Sequence, residues 1–578
     1  MAQIKRKLTF NQSSNEEIKK LRNDFDQTIT CIENLSNEFF YEIFDYIDGY
    51  EIYKAFSNLN YRFQQLLDSP SLLYKIILDY PNNNELDMNN YKQFLLINKH
   101  KMFSIKVWLG ITKNNFFSWF IIDSSFSRLE SLRIEPQQPD ILISLLINLA
   151  CLPRLFSLII QPPALSRYLN DLYRLVFALP VLKSFIFFLD NDIRLTLPMA
   201  NNQQLSTIEY FVTYQFFTFN EFFTILSYIP QIRCLKLFNS IHIDTNIQTI
   251  LPITLLNLTD ISIPMNDVKF DEFEIFIRKI DAKLKILRVT TQSQQINFLS
   301  AHRWEQLILM SLPQLKEFYL KYIEFFNEEY QYSEAANQFV SSFWIDRKWT
   351  FEVEIDHESI DYLVCPYKKR WYEYIQDHIL NSSVEYSKST RLTIKYIDLY
   401  DFDEIIKMNM AHVLTIAQIY HLEFSEENVY VNALIGIISL LPELTTLKIH
   451  SLSLHKPIML GSKELISNLS MNYTSKIRKV YLQTMYEIQE FSILLNLCPY
   501  MEYLKVDYTE KMDFKFVLRY ILKKIKYDCN EHLRLLCFRV PTADDETIIK
   551  LNRMINLEKL PWNFKIKRVA ENLYFEWK

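Results

Sequence analysis

The sequence predicts an α/β chain, with three short helices at the N-terminus followed by a long solenoid of alternating strands and helices. Three observations carry this. Within residues 32–73, apolar residues recur at helical spacing in three short segments. From Leu129 onward the pattern Leu-x-x-Leu-x-Leu returns about every 26 residues, often after a proline. Apolar residues make up 49% of the chain and charged residues 23%, a balance that builds large packed cores rather than disorder.

Composition also excludes. The 578 residues exceed one typical domain several-fold. A net charge of −5 does not suit a nucleic-acid binder. There are four glycines, Gly49, Gly110, Gly436 and Gly461, where about 7% usage would give roughly forty. No two are close enough for a Gly-rich phosphate loop, which argues against a P-loop, a dinucleotide fingerprint or a Gly-x-Ser-x-Gly nucleophile elbow. The seven cysteines (31, 151, 234, 365, 498, 529 and 537) are scattered and contain no Cys-x-x-Cys, as expected of reduced thiols in an intracellular protein. The first residues lack the apolar core of a signal peptide. The longest nearly apolar run, Ile141 to Leu152, is short of the ~20 residues of a membrane span. A cytoplasmic or nuclear protein without membrane or nucleic-acid contact is therefore expected. Lys5-Arg6-Lys7 reads either as a nuclear signal or as a solvated tail.

Taken in order, residues 1–30 are polar and read as a flexible lead-in. The three-helix module occupies 31–75. Its first helix runs from about Asn37 to Ile47, with Ser36 at the N-cap and Phe39, Phe40, Ile43, Phe44 and Ile47 on a wide apolar stripe. Asp48-Gly49 makes the turn. The second helix carries Ile52, Tyr53, Phe56 and Leu59. The third carries Tyr61, Phe63, Leu66 and Leu67 and ends at Ser69-Pro70. Three helices in about 40 residues cannot bury such faces among themselves, so one face must dock onto a partner or onto the next domain.

The stretch resembles an F-box, whose pattern is a leading Leu-Pro-x-Glu, an apolar helix, an Asp-containing turn and a closing Val-Cys-Lys-x-Trp. Leu35 and Glu38 match the start; Ile43, Phe44 and Ile47 match the helix; Ile52 matches the second-helix leucine; Leu59, Arg62 and Phe63 match the close. Ser36 replaces the proline, Leu59-Asn60 the Val-Cys pair, and Phe63 the tryptophan. The resemblance implies a substrate-recognition subunit of a Skp adaptor–cullin–F-box ubiquitin ligase, itself without catalytic residues. The adaptor, and through it a cullin, would dock on Leu35, Glu38, Phe39, Ile43, Phe44, Ile47, Ile52, Phe56, Leu59 and Phe63. A scaffold or assembly protein that uses the same docking without ubiquitin transfer is the alternative.

Residues 76–125 read as a linker and N-terminal cap, the cap from about Ile105 to Ile121. The array follows at 126–320, its copies opening at Leu129, Leu155, Leu182, Ile208, Ile232, Leu258, Leu284 and Leu315. Helices lie between, for example at 219–230 with Phe222, Phe223, Leu226 and Ile229 on one face. The array resembles the irregular leucine-rich repeats found behind F-boxes, without their usual Asn or Cys after the strand. Residues 321–411 break the period and read as an irregular insertion. It holds two aromatic–basic clusters, 343–351 and 367–374, which read either as a peptide or anion clamp or as a hairpin and helix with buried tryptophans. The array resumes at 412–578 with copies at Leu444, Ile477, Met501 and Leu533. Its helix at 513–527 carries Phe516, Val517, Tyr520 and Ile521, and its C-terminal cap runs from about Leu557 to Trp577.

Chemistry is sparse. His-Glu-x-x-His is absent. Cys529, His532 and Cys537 lie close together, but Cys537 falls in a repeat strand and no fourth ligand is near, so neither metal nor cofactor is expected. The acidic runs at 270–276 and 400–406 read as solvated helix faces, and His450 and His455 form no dyad. The residue before the last apolar position of each copy should face the open side of the sheet. That column reads Arg133, Ile159, Ile186, Val212, Lys236, Ser262, Arg288 and Tyr319, then Lys448, Tyr481, Lys505 and Cys537. It contains five basic residues and no acid. It is either a solvated strand face or a surface for an acidic or phosphorylated segment of a protein substrate, held by Arg133, Lys236, Arg288, Tyr319, Lys448, Tyr481 and Lys505.

Overall fold

The computed structural model describes residues 33, 35–79, 85–108, 120–135, 139–162, 168–189, 193–242, 247–292 except 267, 296–325, 338–368 except 357, 390–395, 410–454 except 415, 475–509, and 513–577 except 529, 542 and 559–562. The fold is mixed α/β with a mostly parallel sheet, and the chain divides into two compact units, Met1–Leu189 and Asp190–Lys578.

The first unit opens with helices α1 (Asn37–Phe44), α2 (Gly49–Phe56) and α3 (Tyr61–Asp68). Phe40, Phe44, Phe56 and Phe63 meet between them, with ring centroids 4.9 Å apart for Phe40–Phe63, 5.1 Å for Phe44–Phe56 and 5.0 Å for Phe56–Phe63. Asp48 caps α2 by accepting from the Tyr50 and Glu51 amides, and Asn60 caps α3 by accepting from the Phe63 amide. Asn58, at φ 61°, turns the chain between them in the left-handed region that asparagine tolerates. Then follow β1 (Tyr74–Asp79), α4 (Glu85–Ile97), β2 (Met102–Trp108), β3 (Ser131–Glu135), α5 (Pro139–Leu149), β4 (Ser157–Ile160), α6 (Leu169–Phe177) and β5 (Ser184–Phe187). These strands pair in parallel and in chain order. Alternate side chains are buried, as in Leu132/Ile134, Leu158/Ile160 and Phe185/Phe187. Tyr173 of α6 packs on Phe185 and Phe187, so helices cover that face. The sheet starts at Tyr74, well before Leu129: the residues expected to form a linker and cap hold two strands, although 109–119 lie outside the described residues.

The second unit contains β6 (Tyr210–Thr213), α7 (Phe219–Tyr228), β7 (Cys234–Leu237), β8 (Asp260–Pro264), α8 (Phe270–Lys279), β9 (Ile286–Thr291), α9 (Ala301–Ser311) and β10 (Glu317–Phe325). Next come α10 (Ser342–Asp346), β11 (Trp349–Ile355), β12 (Ser359–Pro366), β13 (Arg391–Ile394), β14 (His421–Phe424), α11 (Val431–Leu440), β15 (Thr446–Ile449) and β16 (Lys479–Met485). The unit closes with α12 (Gln489–Leu497), β17 (Tyr503–Thr509), α13 (Phe514–Tyr527), β18 (Leu535–Arg539), α14 (Asp545–Leu557), β19 (Phe564–Val569) and β20 (Asn572–Trp577). One backbone device recurs. The carbonyl after a repeat's first apolar residue accepts two successive amides of the next repeat. Glu130 takes Phe156 and Ser157, Glu209 takes Arg233 and Cys234, and Glu502 takes Arg534 and Leu535.

The stretch expected as an irregular insertion does not interrupt the sheet. β11 and β12 form an antiparallel hairpin, β12 runs antiparallel to β10, and β11 pairs in parallel with β13. Two reversals restore the parallel direction, and β13, β14 and β15 continue it. At the far end β20 lies antiparallel to β18, and β19 forms the last strand beyond it. Helix α13 is turned from its expected face. It buries Val517, Leu518, Ile521, Leu522 and Ile525, while Phe516 is exposed.

Candidate functional site

The ten module residues proposed for docking divide into two groups. Phe44, Ile52 and Phe63 are buried and Phe56 is half-buried among them, so these four are core. They follow the inward stripe of Phe40, a core residue outside the proposed set. Successive helical positions are 100° apart, so Phe39 and Ile43 point away from Phe40 and Phe44. Phe39 is 56% exposed, Leu59 is 56% exposed, and Leu35, Ile43 and Ile47 are half-buried. Tyr46, at 88%, and Tyr61 extend the exposed apolar set and are missed by a motif-based reading. Glu38 is exposed beside this stripe. The Ser36 hydroxyl and the backbone amide hold its carboxyl below the usual range. Ser36 stands at the N-cap position, but its side chain does not cap the helix.

The segment leading into α1 is held from α3. Arg62 Nε donates to Asn37 Oδ1 at 2.8 Å, and its two terminal nitrogens donate to the Glu33 and Leu35 carbonyls. Its guanidinium lies 5.4 Å from the Phe40 ring centroid. Asn60 Nδ2 donates to Glu33 Oε1 at 3.1 Å.

The Asp48-Gly49 turn is also a joint. Asp48 Oδ2 accepts from the Ile77 amide of β1 at 2.6 Å, and Oδ1 accepts from Tyr50 at 2.8 Å. Burial raises the Asp48 pKa above its usual value despite these donors. A Cβ at Gly49 would stand 2.7 Å from Tyr74 Cβ, so only glycine lets α2 approach β1 this closely. Lys101 Nζ and Arg128 Nη1 each donate at 2.8 Å, to the Leu67 and Pro70 carbonyls. The module is thus fastened to the first unit's sheet.

On the open face the registers align the proposed column. Arg133 stands beside Ile159 and then Ile186; Lys236 beside Ser262, Arg288 and Tyr319; Lys448 beside Tyr481, Lys505 and Cys537. The column's cations, however, meet acids on the same face. Arg288 pairs with Asp260 at 2.7 Å and lies over the Tyr319 ring at 4.9 Å. Lys448 pairs with Glu423 at 2.6 Å and Arg133 with Glu135 at 3.3 Å. Tyr319 donates to Glu317 at 2.9 Å. Lys236 lies over the Tyr210 ring at 5.7 Å. Tyr481 and Lys505 are buried, not presented. Lys505 is 2.8 Å from Asp507, and Tyr481 packs with Tyr503, Leu535, Cys537 and Tyr574. Burial pushes the Cys537 thiol up to about 11. Reading one position per strand missed the acids because they sit two residues before or after it on the same strand, or on the neighbouring strand.

In the first aromatic–basic cluster Trp344 and Trp349 are buried, and Arg347 lies 3.9 Å from the Phe343 ring centroid. Most of the second cluster, together with Lys5-Arg6-Lys7, residues 400–406, His455 and Cys529, lies outside the described residues. Among the described residues no group of three or more His, Cys, Asp or Glu side chains is placed to hold a metal ion, and no helix is long and apolar enough to cross a membrane. No family model matches the chain, and no curated protein matches its sequence.

Proposed function

We propose that the chain is the substrate-recognition subunit of a Skp adaptor–cullin–F-box ubiquitin ligase. In this reading α1–α3 are an F-box and the following strands and helices are a leucine-rich-repeat-like solenoid. The observation that carries it is the two-sidedness of α1. One stripe builds the module's core, and the other leaves Phe39 exposed and Ile43 half-buried, with the half-buried Leu35 just ahead of the helix, on a module already fixed to the sheet. The recurring carbonyl that accepts two amides of the next repeat supports the solenoid half. The chain would act by position, raising the effective concentration of a substrate lysine near the ubiquitin donor.

The test is co-purification of a Skp-family adaptor and its cullin with the Phe39→Asp/Ile43→Asp variant. A carboxylate pressed against an apolar partner costs several kcal/mol unless the contact opens. Both partners should be lost while thermal melting falls far less than a charge at Phe44 would make it fall, because Phe39 is exposed and Ile43 is outside the module's core. Undiminished recovery of the adaptor would falsify the docking role. Phe44 is unsuitable for this test, since a charge there would break the module's own core.

The Asp48–Ile77 bond and the close approach at Gly49 favour a second reading, in which the helices serve only to cover the edge of the sheet. Under that reading wild type and the double variant alike recover no adaptor.

A further inference from the structure

We infer that Arg62 is the positioning residue of the docking stripe, holding the lead-in to α1, and with it Leu35, in one conformation before any partner arrives. The inference rests on the docking reading above. A segment just ahead of a helix has no ladder to fix it, and ordering it at the moment of binding lowers affinity. Here a side chain 25 or more residues away in sequence supplies the order. The guanidinium fork reaches three acceptors at once, the Asn37 side chain and the carbonyls of Glu33 and Leu35, and its face rests on Phe40. Phe40 belongs to the module core, so the fork ties the half-buried Leu35 to the buried side of α1. A lysine also has three N–H donors, but they share one nitrogen at the end of a flexible stem, so it lacks the planar fork that here serves three acceptors through three separate nitrogens. Ser36, between the clasped carbonyls and the helix, has φ −70° and ψ 163°. These angles are ones that proline adopts unaided, and an N-cap amide is outside the helical ladder. A proline at this position would therefore impose locally what Arg62 imposes from α3.

The experiment uses the full chain in four forms: wild type, Arg62→Lys, Ser36→Pro and the double variant. Each is titrated with a Skp-family adaptor, and amide hydrogen exchange across residues 33–40 is followed in the free chain. Arg62→Lys should lower adaptor affinity about ten-fold, a change of about 1.4 kcal/mol, and speed exchange at 37–40 with the sheet's melting unchanged. Ser36→Pro alone should lower affinity clearly less than Arg62→Lys does, because the conformation is already held and only the hydroxyl bonded to Glu38 is lost. Combined with Arg62→Lys it should restore most of the lost affinity and slow the exchange, a rescue that a purely packing role for Arg62 does not give. Adaptor binding by Arg62→Lys equal to wild type, or a double variant no better than Arg62→Lys, overturns the inference and leaves the docking reading standing. Wild type without adaptor affinity overturns the docking reading and the inference with it. Should Arg62→Lys fail to fold, Asn37→Ala removes one acceptor only. A smaller loss of affinity supports the clasp, and none overturns it.

Discussion

Glu490 is fully buried at the start of α12, where its Oε1 accepts from the Tyr486 and Glu487 amides at 2.9 and 2.8 Å. Burial outweighs these donors and pushes its pKa from 4.5 up to about 7. The folded state thus binds this proton more tightly than the unfolded chain does. Its contribution to stability is present below pH 4.5 and is lost as pH rises through about 7. Glu490→Gln keeps an oxygen for the two amides and removes the titration. Denaturant unfolding of both proteins from pH 5 to 8 should show wild type losing ground to the variant with rising pH, by on the order of 3 kcal/mol at most. Parallel curves would place the titration elsewhere. Gly49 is a different case at the same scale. Its turn was legible from Asp-Gly, but the need for glycine comes from Tyr74, a strand away in space.

Elements were legible where their pattern repeats. The strands expected after Leu129, Leu155, Leu182, Ile208, Ile232, Leu258, Leu284 and Leu315 form and are aligned by register within each unit. A second signature lay in the helices. A Glu-Phe pair opens α7, α8 and α12, with Glu221, Glu272 and Glu490 accepting backbone amides and Phe222, Phe273 and Phe491 fully buried. β11 and β12 form the hairpin that the first aromatic–basic cluster allowed, but their place in the sheet was not legible, because alternation such as Phe351, Val353, Ile355 has a period of two without the Leu-x-x-Leu spacing. At the end of the second unit β19 is paired only with β20 among the described residues and exposes Lys565, Lys567 and Arg568. Charged side chains on an outer strand discourage pairing with another chain. Lys565→Val/Lys567→Val should therefore raise light scattering and shift gel-filtration profiles toward larger species at unchanged melting temperature. A monodisperse variant would mean that this edge needs no protection.

For the molecule as a whole, the fastening of α1–α3 alters what a truncation means. Removing residues 1–70 takes away Asp48, the acceptor of the Ile77 amide, and uncovers Tyr74 and Ile76. The truncated chain should aggregate, or its first unit should melt earlier and become protease-sensitive. Loss of partners by such a chain would say little about docking. A soluble truncation with unchanged melting would make the helices an independent appendage. What the sequence by itself determined was periodic: helices, strands, most of their inward faces, and a column of residues aligned by register, all set by spacings of two to four residues within repeats of about 26. The tertiary structure alone decided which of those exposed groups remain available. Asp260 neutralises Arg288, Glu423 neutralises Lys448, Asp507 accompanies a buried Lys505, and Arg62 grips a segment 27 residues away at Leu35. The physical reason is range. Backbone sterics and hydrophobic alternation act between near neighbours in the chain, whereas ion pairs, caps and close approaches depend on which strand or helix comes alongside, and register across a sheet sets that.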